Sequence, residues 1–490
     1  MDNRNPYSRS NRRPPSRRPA NEGGQQRPQR RGQEEYSRNR AQKRKSEKLA
    51  AALIIVILIA VIGFVAWWVS GNGGLGATFE KGIDSSLDGV DGTKAKSLDK
   101  KDNRNVPVKL LGSDEEMDEN GVVHGTTPGG ISYVLYGRGE KSNDKKTITL
   151  CAVGDNMGTD SNLPVADRFD GGTGDGAYDF KPFYTELKPV VSKYDLAFIN
   201  QETMTAGTDN GRSYTGYPEF NTPDSVVDAI VDAGFNIVNM GSNHTWDQGE
   251  DGVLRTQGVI DSFPGVMRLG SYESAADRSA VRLQERNKKT VAFLSYTYGD
   301  NHYATIDEFP NTYYSCPFDK DAMQAEIKRA QAVADAVVVY VHWGTEYTSV
   351  PNDQQRDYAQ FLADQGVDLV IGSHAHIIQP VEMYTSSTGK QVPVVFGLGN
   401  LTSGWDTAEY LLSGLFSCSI SWDDEGNTQI GDMKWSSLVE WSDGTDQYVR
   451  FLKDMDAKTA DQNRLTSSVA NDKSYFEKKL SEVKFDCETE

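Results

Sequence analysis

The chain has 490 residues and carries 52 basic and 70 acidic residues, a net charge of −18. This length exceeds one average domain, so we expect two or three structural units. The acidic balance argues against nucleic acid or another polyanion as a partner held tightly by the folded part. A localised metal pocket could still accept an anionic substrate, because the charge of the ion dominates there.

The first 48 residues differ from the rest in charge. They contain fifteen Lys or Arg and five Asp or Glu, about +10, which leaves about −28 for the remainder. With five prolines and almost no aliphatic residues, this segment cannot bury enough apolar surface to offset its lost conformational entropy. We predict a disordered basic tail over 1–48. It lacks interleaved aromatic residues for base stacking, so contact with anionic cytoplasmic lipid is favoured over nucleic-acid binding.

Residues 49–69, LAAALIIVILIAVIGFVAWWV, are 21 uncharged and mostly aliphatic residues. As a helix they span roughly 30 Å, the thickness of the hydrocarbon core of a bilayer. The alternative, a cleaved signal peptide, is disfavoured because the run is too long and no small-residue cleavage site precedes Trp67 and Trp68. Basic residues before the span place the N-terminus in the cytoplasm. We therefore predict a single-pass cell-membrane protein whose C-terminal domain is extracellular.

A Gly-, Ser- and Asp-rich stretch over 70–105 predicts a flexible linker, and 106–146 predicts a small extension. From 147 onward, near-continuous apolar runs typical of strands buried on both faces alternate with helical patterns. The predicted strands are ITLCAV, LAFINQ, NIVNMG, VAFLSY, AVVVYVHW, DLVIGS and VPVVFGLG. This alternation predicts a layered α/β domain over 147–455 with loops at the carboxyl ends of its strands.

Three helices are predicted inside this domain. One opens at Thr222-Pro223 and ends at Gly234, and the others cover 319–335 and 352–365. Segment 159–180 is expected to be a polar, Gly-rich loop over the crevice. A polar tail over 456–490 contains a predicted amphipathic helix at 468–484.

The four cysteines, Cys151, Cys316, Cys418 and Cys487, lack CxxC spacing, so a zinc-finger site is not expected. Disulfides are permitted outside the membrane. Cys151 and Cys418 fall inside predicted strands, where a bridge and two small buried apolar side chains are both possible.

Four of the six histidines lie in three short segments that each follow an apolar run. They are His244, His342, His374 and His376. Asp155 and Glu202 follow apolar runs in the same way, so all these side chains are expected to meet in one crevice. Nitrogen and oxygen donors together suit a divalent metal such as Mn, Zn or Fe. The sequence therefore predicts a site for one or two such ions.

Each element of this set also has a purely structural explanation. Asp155 could belong to an ordinary turn after a strand, Asn243-His244 to a turn bonded to backbone, and His342 to the core. His374-x-His376 is the most specific element, because alternate residues of an extended segment point the same way.

Seven motifs occur in an order that resembles the CapA family of capsule and poly-γ-glutamate biosynthesis proteins, a branch of the calcineurin-like metallophosphoesterase fold. The motifs are GDNM, NQET, FNTP, GSNHTWDQG, HWGTEY, GSHAHIIQP and FGLGN. The resemblance covers 147–422 and implies a metallophosphoesterase-like layered α/β sandwich.

The resemblance also implies roles for individual residues. Asp155 would hold one metal ion together with His376, and Glu202 would bridge two ions. The second ion would be completed by Asn243, His342 and His374. His244 would contact the scissile group and Asp247 would orient His244.

Two departures from the family's fold accompany this resemblance. Phosphoesterases usually begin with Asp-x-His, whereas Asp155 is followed by Asn156 and Met157. Glu202 also replaces the usual bridging aspartate.

Two functions are compatible with the pattern. One is a metal-dependent hydrolase or transferase acting on a phosphoester or amide of a cell-envelope or capsule polymer. The alternative is a noncatalytic subunit that binds polymer or stabilises a capsule synthase complex with other membrane subunits.

Overall fold

The computed structural model describes residues 115–137, 147–172, 174–303, 305–442, 445–455 and 473–490. The predicted tail, membrane span and linker, at 1–48, 49–69 and 70–105, lie outside these ranges. Within the described ranges, no helix combines the length and apolar character needed to cross a bilayer.

Eighteen strands form two nine-stranded sheets in the described part of the chain. In chain order they are β1 (Glu116–Met117), β2 (Val123–Thr126), β3 (Ser132–Tyr136), β4 (Thr147–Asn156), β5 (Leu196–Gln201), β6 (Ile237–Asn239), β7 (Met267–Leu269), β8 (Val281–Arg286), β9 (Lys289–Thr297), β10 (Ala336–His342), β11 (Leu369–Ser373), β12 (Val381–Thr385), β13 (Gln391–Val395), β14 (Asn400–Thr402), β15 (Leu412–Trp422), β16 (Thr428–Ser442), β17 (Gln447–Phe451) and β18 (Glu488–Thr489).

The α-helices of the described ranges lie between these strands. They are α1 (Leu163–Phe169), α2 (Lys188–Val191), α3 (Ser225–Asp232), α4 (Gly249–Asp261), α5 (Ala275–Ser279), α6 (Lys320–Val333), α7 (Asp353–Asp364) and α8 (Lys473–Ser481). Short 3₁₀ turns occur at Lys181–Tyr184, Asp209–Gly211, Ile306–Glu308, Ala408–Leu411 and Leu452–Asp454.

The first sheet has the order β1-β2-β3-β8-β9-β10-β11-β13-β12, and the second has β17-β16-β15-β4-β5-β6-β7, with β14 added beside β4 and β18 beside β16. Strands β9, β10, β11 and β13 are parallel, as are β4, β5, β6 and β7. All seven predicted strands are present. Within the predicted small extension, β2 and β3 form an antiparallel hairpin whose second strand pairs with β8.

Alternate side chains of the central strands enter two different cores, because successive residues of a strand point to opposite faces. In β5, Leu196 and Phe198 join the core between the two sheets, whereas Ala197 and Ile199 join the core beneath helices. The first sheet contributes residues such as Phe293 to the core between the sheets. Both faces of each sheet are thus covered, which explains the near-continuous apolar runs in the sequence.

Helices cover the two outer faces. Ile230 of α3 and Ile260 of α4 pack in the core outside the second sheet. Ile327 of α6 and Leu362 of α7 pack in the core outside the first sheet. The result is a four-layer α/β sandwich, which confirms the predicted layered α/β class.

Several predicted boundaries differ from the structure. The helix expected to open at Thr222-Pro223 begins instead at Ser225. Thr222 does not cap it, because its backbone N–H donates to the carbonyl of Met204 (2.7 Å) and its hydroxyl donates to Thr203 Oγ1 (2.8 Å). The expected exit at Gly234 is confirmed, and this residue has φ +106°.

Segment 159–180 is not a continuous loop. It contains α1, which begins directly after Asn162 and has a proline in its first turn. The two other predicted helices are confirmed as α6 and α7. The part of the predicted C-terminal helix that is described forms α8, and its Phe476 is buried in the core between the sheets.

The four cysteines are free. In the pairing of β4 with β15, Cys151 lies opposite Ser417 and Cys418 lies opposite Leu150. This one-residue offset sends the two thiols to opposite faces of the sheet, so Cys151 and Cys418 serve as small buried apolar side chains in separate cores.

Gly372 of β11 tests how tightly the first sheet is packed. A Cβ at this position would overlap the carbonyl oxygen of Phe396 and the indole nitrogen of Trp343, which are joined by a 2.9 Å hydrogen bond. We expect Gly372→Ala to lower the free energy of unfolding by about 1–3 kcal/mol, as overpacking does. Urea denaturation measures this change.

The matched control is Gly258→Ala on the exposed side of α4, where an added Cβ meets nothing within 4 Å. This variant should be stabilised by about 0.5–1 kcal/mol, because alanine is a better helix former than glycine. Equal effects of the two substitutions would contradict the packing argument.

Candidate metal centre

The six predicted metal ligands come together at the carboxyl ends of the parallel strands. Asp155 lies near the end of β4, Glu202 directly follows β5, and His342 ends β10. His374 and His376 follow β11, and Asn243 lies in the loop after β6. All six side chains are buried. The two sheets therefore contribute to one site.

Two groups of three side chains have ligand atoms within 4.8 Å of one another. One group is Asp155, Glu202 and His342, and the other is Glu202, His374 and His376. Glu202 belongs to both groups, as a bridging ligand would. His376 also contacts Asp155, with 3.2 Å between Nδ1 and Oδ2. The assignment of individual ligands to one ion or the other stays a prediction.

Among the residues that the structure describes, two buried polar atoms of the ligand set have no hydrogen-bond partner. They are Glu202 Oε1 and His374 Nδ1. Glu202 Oε1 lies 3.6 Å from His342 Nε2 and 3.9 Å from His376 Nε2, beyond hydrogen-bond range. A buried carboxylate oxygen or imidazole nitrogen without a partner is costly. A divalent cation would pair with both atoms, so this donor set fits such an ion.

Burial and neighbouring charge move the two carboxyl groups in opposite directions. Burial raises the pKa of Asp155, but hydrogen bonds from His376 and Ser373 and the charge of His376 outweigh this and hold the pKa below its usual range. Burial and the neighbouring Asp155 raise the pKa of Glu202 well above its usual range. Without a cation, one acid is compensated by donors and the other is not.

Burial also keeps two of the histidines neutral. It lowers the pKa of His342 to about 3, and burial together with the neighbouring histidines lowers the pKa of His374 well below its usual range. A neutral imidazole has the lone pair that a metal ligand needs. The electrostatics of these rings therefore suit metal binding at neutral pH.

A chain of hydrogen bonds between the two sheets fixes Asp155. Asn200 Nδ2 donates to Asp155 Oδ1 (2.7 Å), and Asn239 Nδ2 donates to Asn200 Oδ1 (2.7 Å). Ser295 of β9 donates to Asn239 Oδ1 (2.6 Å). These three residues were not predicted from the sequence. The available signal was a pair of asparagines inside otherwise apolar strands, LAFINQ and NIVNMG.

The backbone of the His374-x-His376 segment is not extended, so the prediction that the two rings align by strand alternation is wrong. His374 has φ +92° and His376 has φ +57°. The hydroxyl of Ser373 and the N–H of His374 (3.3 Å) both donate to Asp155 and hold the segment in a turn. His376 Nδ1 lies 2.9 Å from Asn400 Oδ1. The two rings reach the site through this turn and not through strand alternation.

His244 and Asp247 form a buried pair at the edge of the site. Asp247 Oδ2 lies 2.8 Å from His244 Nδ1 and also accepts a 2.8 Å hydrogen bond from the N–H of Phe220. The ring of Phe220 packs edge to face on His244, with centroids 4.7 Å apart. The carboxylate therefore orients the imidazole through Nδ1. The resemblance to the CapA family implies this contact between Asp247 and His244.

The side chains of the two residues after Asp155 are hydrogen-bonded or buried. Asn156 donates to Gln201 Oε1 (2.7 Å) and accepts from the hydroxyl of Tyr184 (2.6 Å). Met157 is buried. Neither residue supplies the imidazole that Asp-x-His would place there.

A loop after β9, which was not predicted from the sequence, also borders the site. It contains Asp300, Asn301 and His302. Burial, with a smaller contribution from the neighbouring Asp247, raises the pKa of Asp300 to about 7, although His302 acts in the opposite direction. Asp300 Oδ1 accepts from the N–H of His302 (2.9 Å), whereas its buried Oδ2 accepts no hydrogen bond from the described part of the chain.

The raised pKa of Asp300 predicts that the free energy of unfolding depends on pH. Its folded pKa of about 7 lies above the unfolded value of about 3.9, so the folded state binds more protons between these values. The stabilising contribution of protonated Asp300 is complete below about pH 4 and is lost as pH rises through 7. Relative to Asp300→Asn, the native protein should lose roughly 2–4 kcal/mol of unfolding free energy between pH 4 and 8. Urea denaturation across this range measures the difference.

Asp307→Asn, an exposed change of the same charge in the same connection, is the control. If the native protein and Asp300→Asn show parallel pH profiles, Asp300 is not the group responsible.

Comparison with known proteins matches this sequence to bacterial capsule proteins. Residues 149–404 match a family model described as bacterial capsule synthesis protein PGA_cap. The chain is 28% identical over 221 residues to the PGA biosynthesis protein CapA of Bacillus subtilis, covering 45% of this chain and 56% of the relative. It is 28% identical over 273 residues to the capsule biosynthesis protein CapA of Bacillus anthracis, covering 54% and 62%. The chain thus matches less than two thirds of the length of either relative.

Among solved structures, the chain is similar to a calcineurin-like phosphoesterase, YfkN, from Bacillus subtilis. The sequence identity is 14% and the TM-score is 0.37. The match covers 59% of this chain and 90% of that chain.

Proposed function

The chain belongs to the family of bacterial capsule synthesis proteins described as PGA_cap, and from this premise we propose that it is a membrane-anchored, metal-dependent hydrolase or transferase acting outside the cell. Its reaction would serve capsule or poly-γ-glutamate synthesis and would cleave or transfer a phosphoester or amide. The observation that carries this proposal is the unpaired Glu202 Oε1 atom, buried between two groups of ligand atoms. The apolar run at 49–69 supports the anchor.

The proposed cofactor is one or two divalent ions of Mn, Zn or Fe. They would be held by the six residues Asp155, Glu202, Asn243, His342, His374 and His376. A divalent ion bound there would supply Lewis acidity toward a phosphoryl or carbonyl oxygen. Asp155 enters this arrangement already held by donors from Asn200 and Ser373, so its position does not depend on the ion.

His244 is the proposed proton donor to the leaving group, which is an oxygen in a phosphoester and a nitrogen in an amide. Since its Nδ1 is held by Asp247, its Nε2 is the nitrogen that can face a reacting group. Asp247 fixes the ring orientation and would stabilise the protonated imidazole. Phe220 holds both partners, through its N–H to Asp247 and its ring against His244.

Exposed aromatic rings border the buried ligands. Tyr298 is 37% exposed and its ring centroid lies 4.6 Å from that of His374. Tyr347 is 44% exposed and its centroid lies 6.0 Å from that of His376. Rings of this kind provide contact area beside a polar centre. They support a substrate that extends beyond the group bound at the ligands, as a polymer does.

The decisive measurement combines metal content with activity. His374→Ala should lose bound metal, because an imidazole ligand is removed. His244→Ala should keep the metal but lose about 10²–10⁴-fold in turnover of a phosphodiester or amide probe, the usual contribution of a general acid. Elemental analysis and steady-state kinetics of the purified protein measure both.

His124→Ala is the control, since His124 is an exposed histidine on β2. It should leave metal content and turnover unchanged. Unaltered activity in both His244→Ala and His374→Ala would rule out a metal-dependent reaction at this site.

A noncatalytic role is the second candidate, and a specific observation favours it. Met157 stands where phosphoesterases of this fold usually supply a histidine, and the side chain of Asn156 is bonded to Gln201 and Tyr184. In this role the chain would bind polymer or stabilise a synthase complex with other membrane subunits.

Complementation separates the two roles. In cells that depend on this chain for polymer, His244→Ala should abolish polymer production if the chain is an enzyme, because a proton donor is lost. Membrane level and complex formation of the variant should remain normal. Normal polymer production by this variant would favour the noncatalytic role.

A further inference from the structure

Several contacts tie the loop after β9 to the loop after β6. The N–H of Asn301 donates to the carbonyl of Asn243 (2.9 Å). His302 Nε2 lies 3.4 Å from Asp247 Oδ1, the carboxylate oxygen that His244 does not use. Asn301 is exposed at the edge of a buried set of ligands. The loop thus presents one polar side chain to the opening of the site.

The orientation of the Asn301 amide follows from its neighbours. Asn243 Oδ1 lies 2.7 Å from His342 Nε2, so the Nδ2 group of Asn243 faces the other way and donates to Asn301 Oδ1 (3.3 Å). This leaves Asn301 Nδ2 facing His244. An asparagine amide carries two N–H donors on this nitrogen.

The contact between Asn301 and His244 leaves an N–H group of Asn301 Nδ2 available to a ligand. Asn301 Nδ2 lies 3.3 Å from His244 Nε2 and 3.5 Å from Nδ1. Nδ1 is held by Asp247, so the lone pair of the ring is on Nε2. Because the amide nitrogen lies almost as far from Nε2 as from Nδ1, its N–H does not point squarely at that lone pair. An oxygen placed against His244 Nε2 would lie within reach of the same amide.

We propose that Asn301 is a second catalytic donor beside His244. It donates a hydrogen bond to the substrate oxygen that gains negative charge as the scissile bond breaks, and His302 is a positioning residue that holds the loop through Asp247. This inference rests on the proposed function, since it assigns a role in that reaction. A fixed donor aimed at developing charge stabilises the transition state more than the ground state.

The first experiment compares Asn301→Ala with Asn301→Asp in the manganese-loaded full chain. With bis(p-nitrophenyl) phosphate as the probe, Asn301→Ala should lower kcat about 10²-fold, the cost of removing one such donor, and change KM less than threefold. Asn301→Asp should lose more, because it places a negative charge beside the developing one. Asn311→Ala, further along the same connection, is the control and should match the native protein. Unchanged kcat in Asn301→Ala would overturn the proposal.

His302 is tested by rescue. His302→Ala should lower kcat by roughly tenfold at an unchanged melting temperature, whereas His302→Gln, which keeps a donor for Asp247, should recover most of the loss. Equal activities of the two variants would show that the contact with Asp247 does not position Asn301.

Anion binding separates failure of this inference from failure of the proposed function. Inorganic phosphate carries on its oxygens the charge that a diester oxygen gains only in the transition state. By calorimetry on the manganese-loaded protein, Asn301→Ala should bind phosphate about tenfold more weakly than the native chain. If the chain hydrolyses no probe, the proposed function fails, and weaker phosphate binding would still support Asn301 as a donor. Equal phosphate affinities in a chain without activity would refute it.

Discussion

Two carboxyl groups, those of Asp155 and Glu202, are buried side by side at the ends of adjacent parallel strands, and the surrounding structure compensates for that arrangement. Burying a carboxylate is costly unless donors or a cation pair with it. Asp155 receives donors from Asn200, Ser373 and the backbone of His374. Glu202 keeps one oxygen without a partner. The two acids therefore differ, because protein donors hold Asp155, whereas Glu202 Oε1 is available to the proposed ion.

The donors that hold Asp155 come from both sheets, so the site depends on how the sheets are joined. Asn200 lies on the adjacent strand of the same sheet, and its own oxygen accepts from Asn239, which in turn accepts from Ser295 of the opposite sheet. Ser373 and His374 also belong to the opposite sheet. Left-handed backbone at His374 and His376 costs about 1–3 kcal/mol at each residue. The hydrogen bonds to Asp155 and the apolar core between the sheets stabilise that conformation.

The layered fold was predictable because its strands are buried on both faces and therefore appear as continuous apolar runs. The convergence of the six candidate ligands was predictable because these residues follow those runs. The turn at His374 and His376 was not, since it depends on a hydrogen bond to Asp155, more than 200 residues earlier. The start of α3 was missed for a similar reason, because Thr222 is bonded to Thr203. Asn301 had no signal in the sequence, because a single Asn after a strand looks like any turn residue until the loop is seen against His244.

The residues that follow Asp155 supply no imidazole, and their contacts show why. With Asn156 bonded to Gln201 and Tyr184, the segment after Asp155 is fixed within its own sheet and offers nothing to an ion. The imidazoles that remain, His342, His374 and His376, all come from the first sheet, whereas both carboxylates come from the second. An ion bound between them would link the sheets directly. An ion that binds the folded state stabilises it by mass action. Its binding free energy would therefore add to the free energy of unfolding and oppose separation of the two sheets. This effect does not require that the site turns over a substrate.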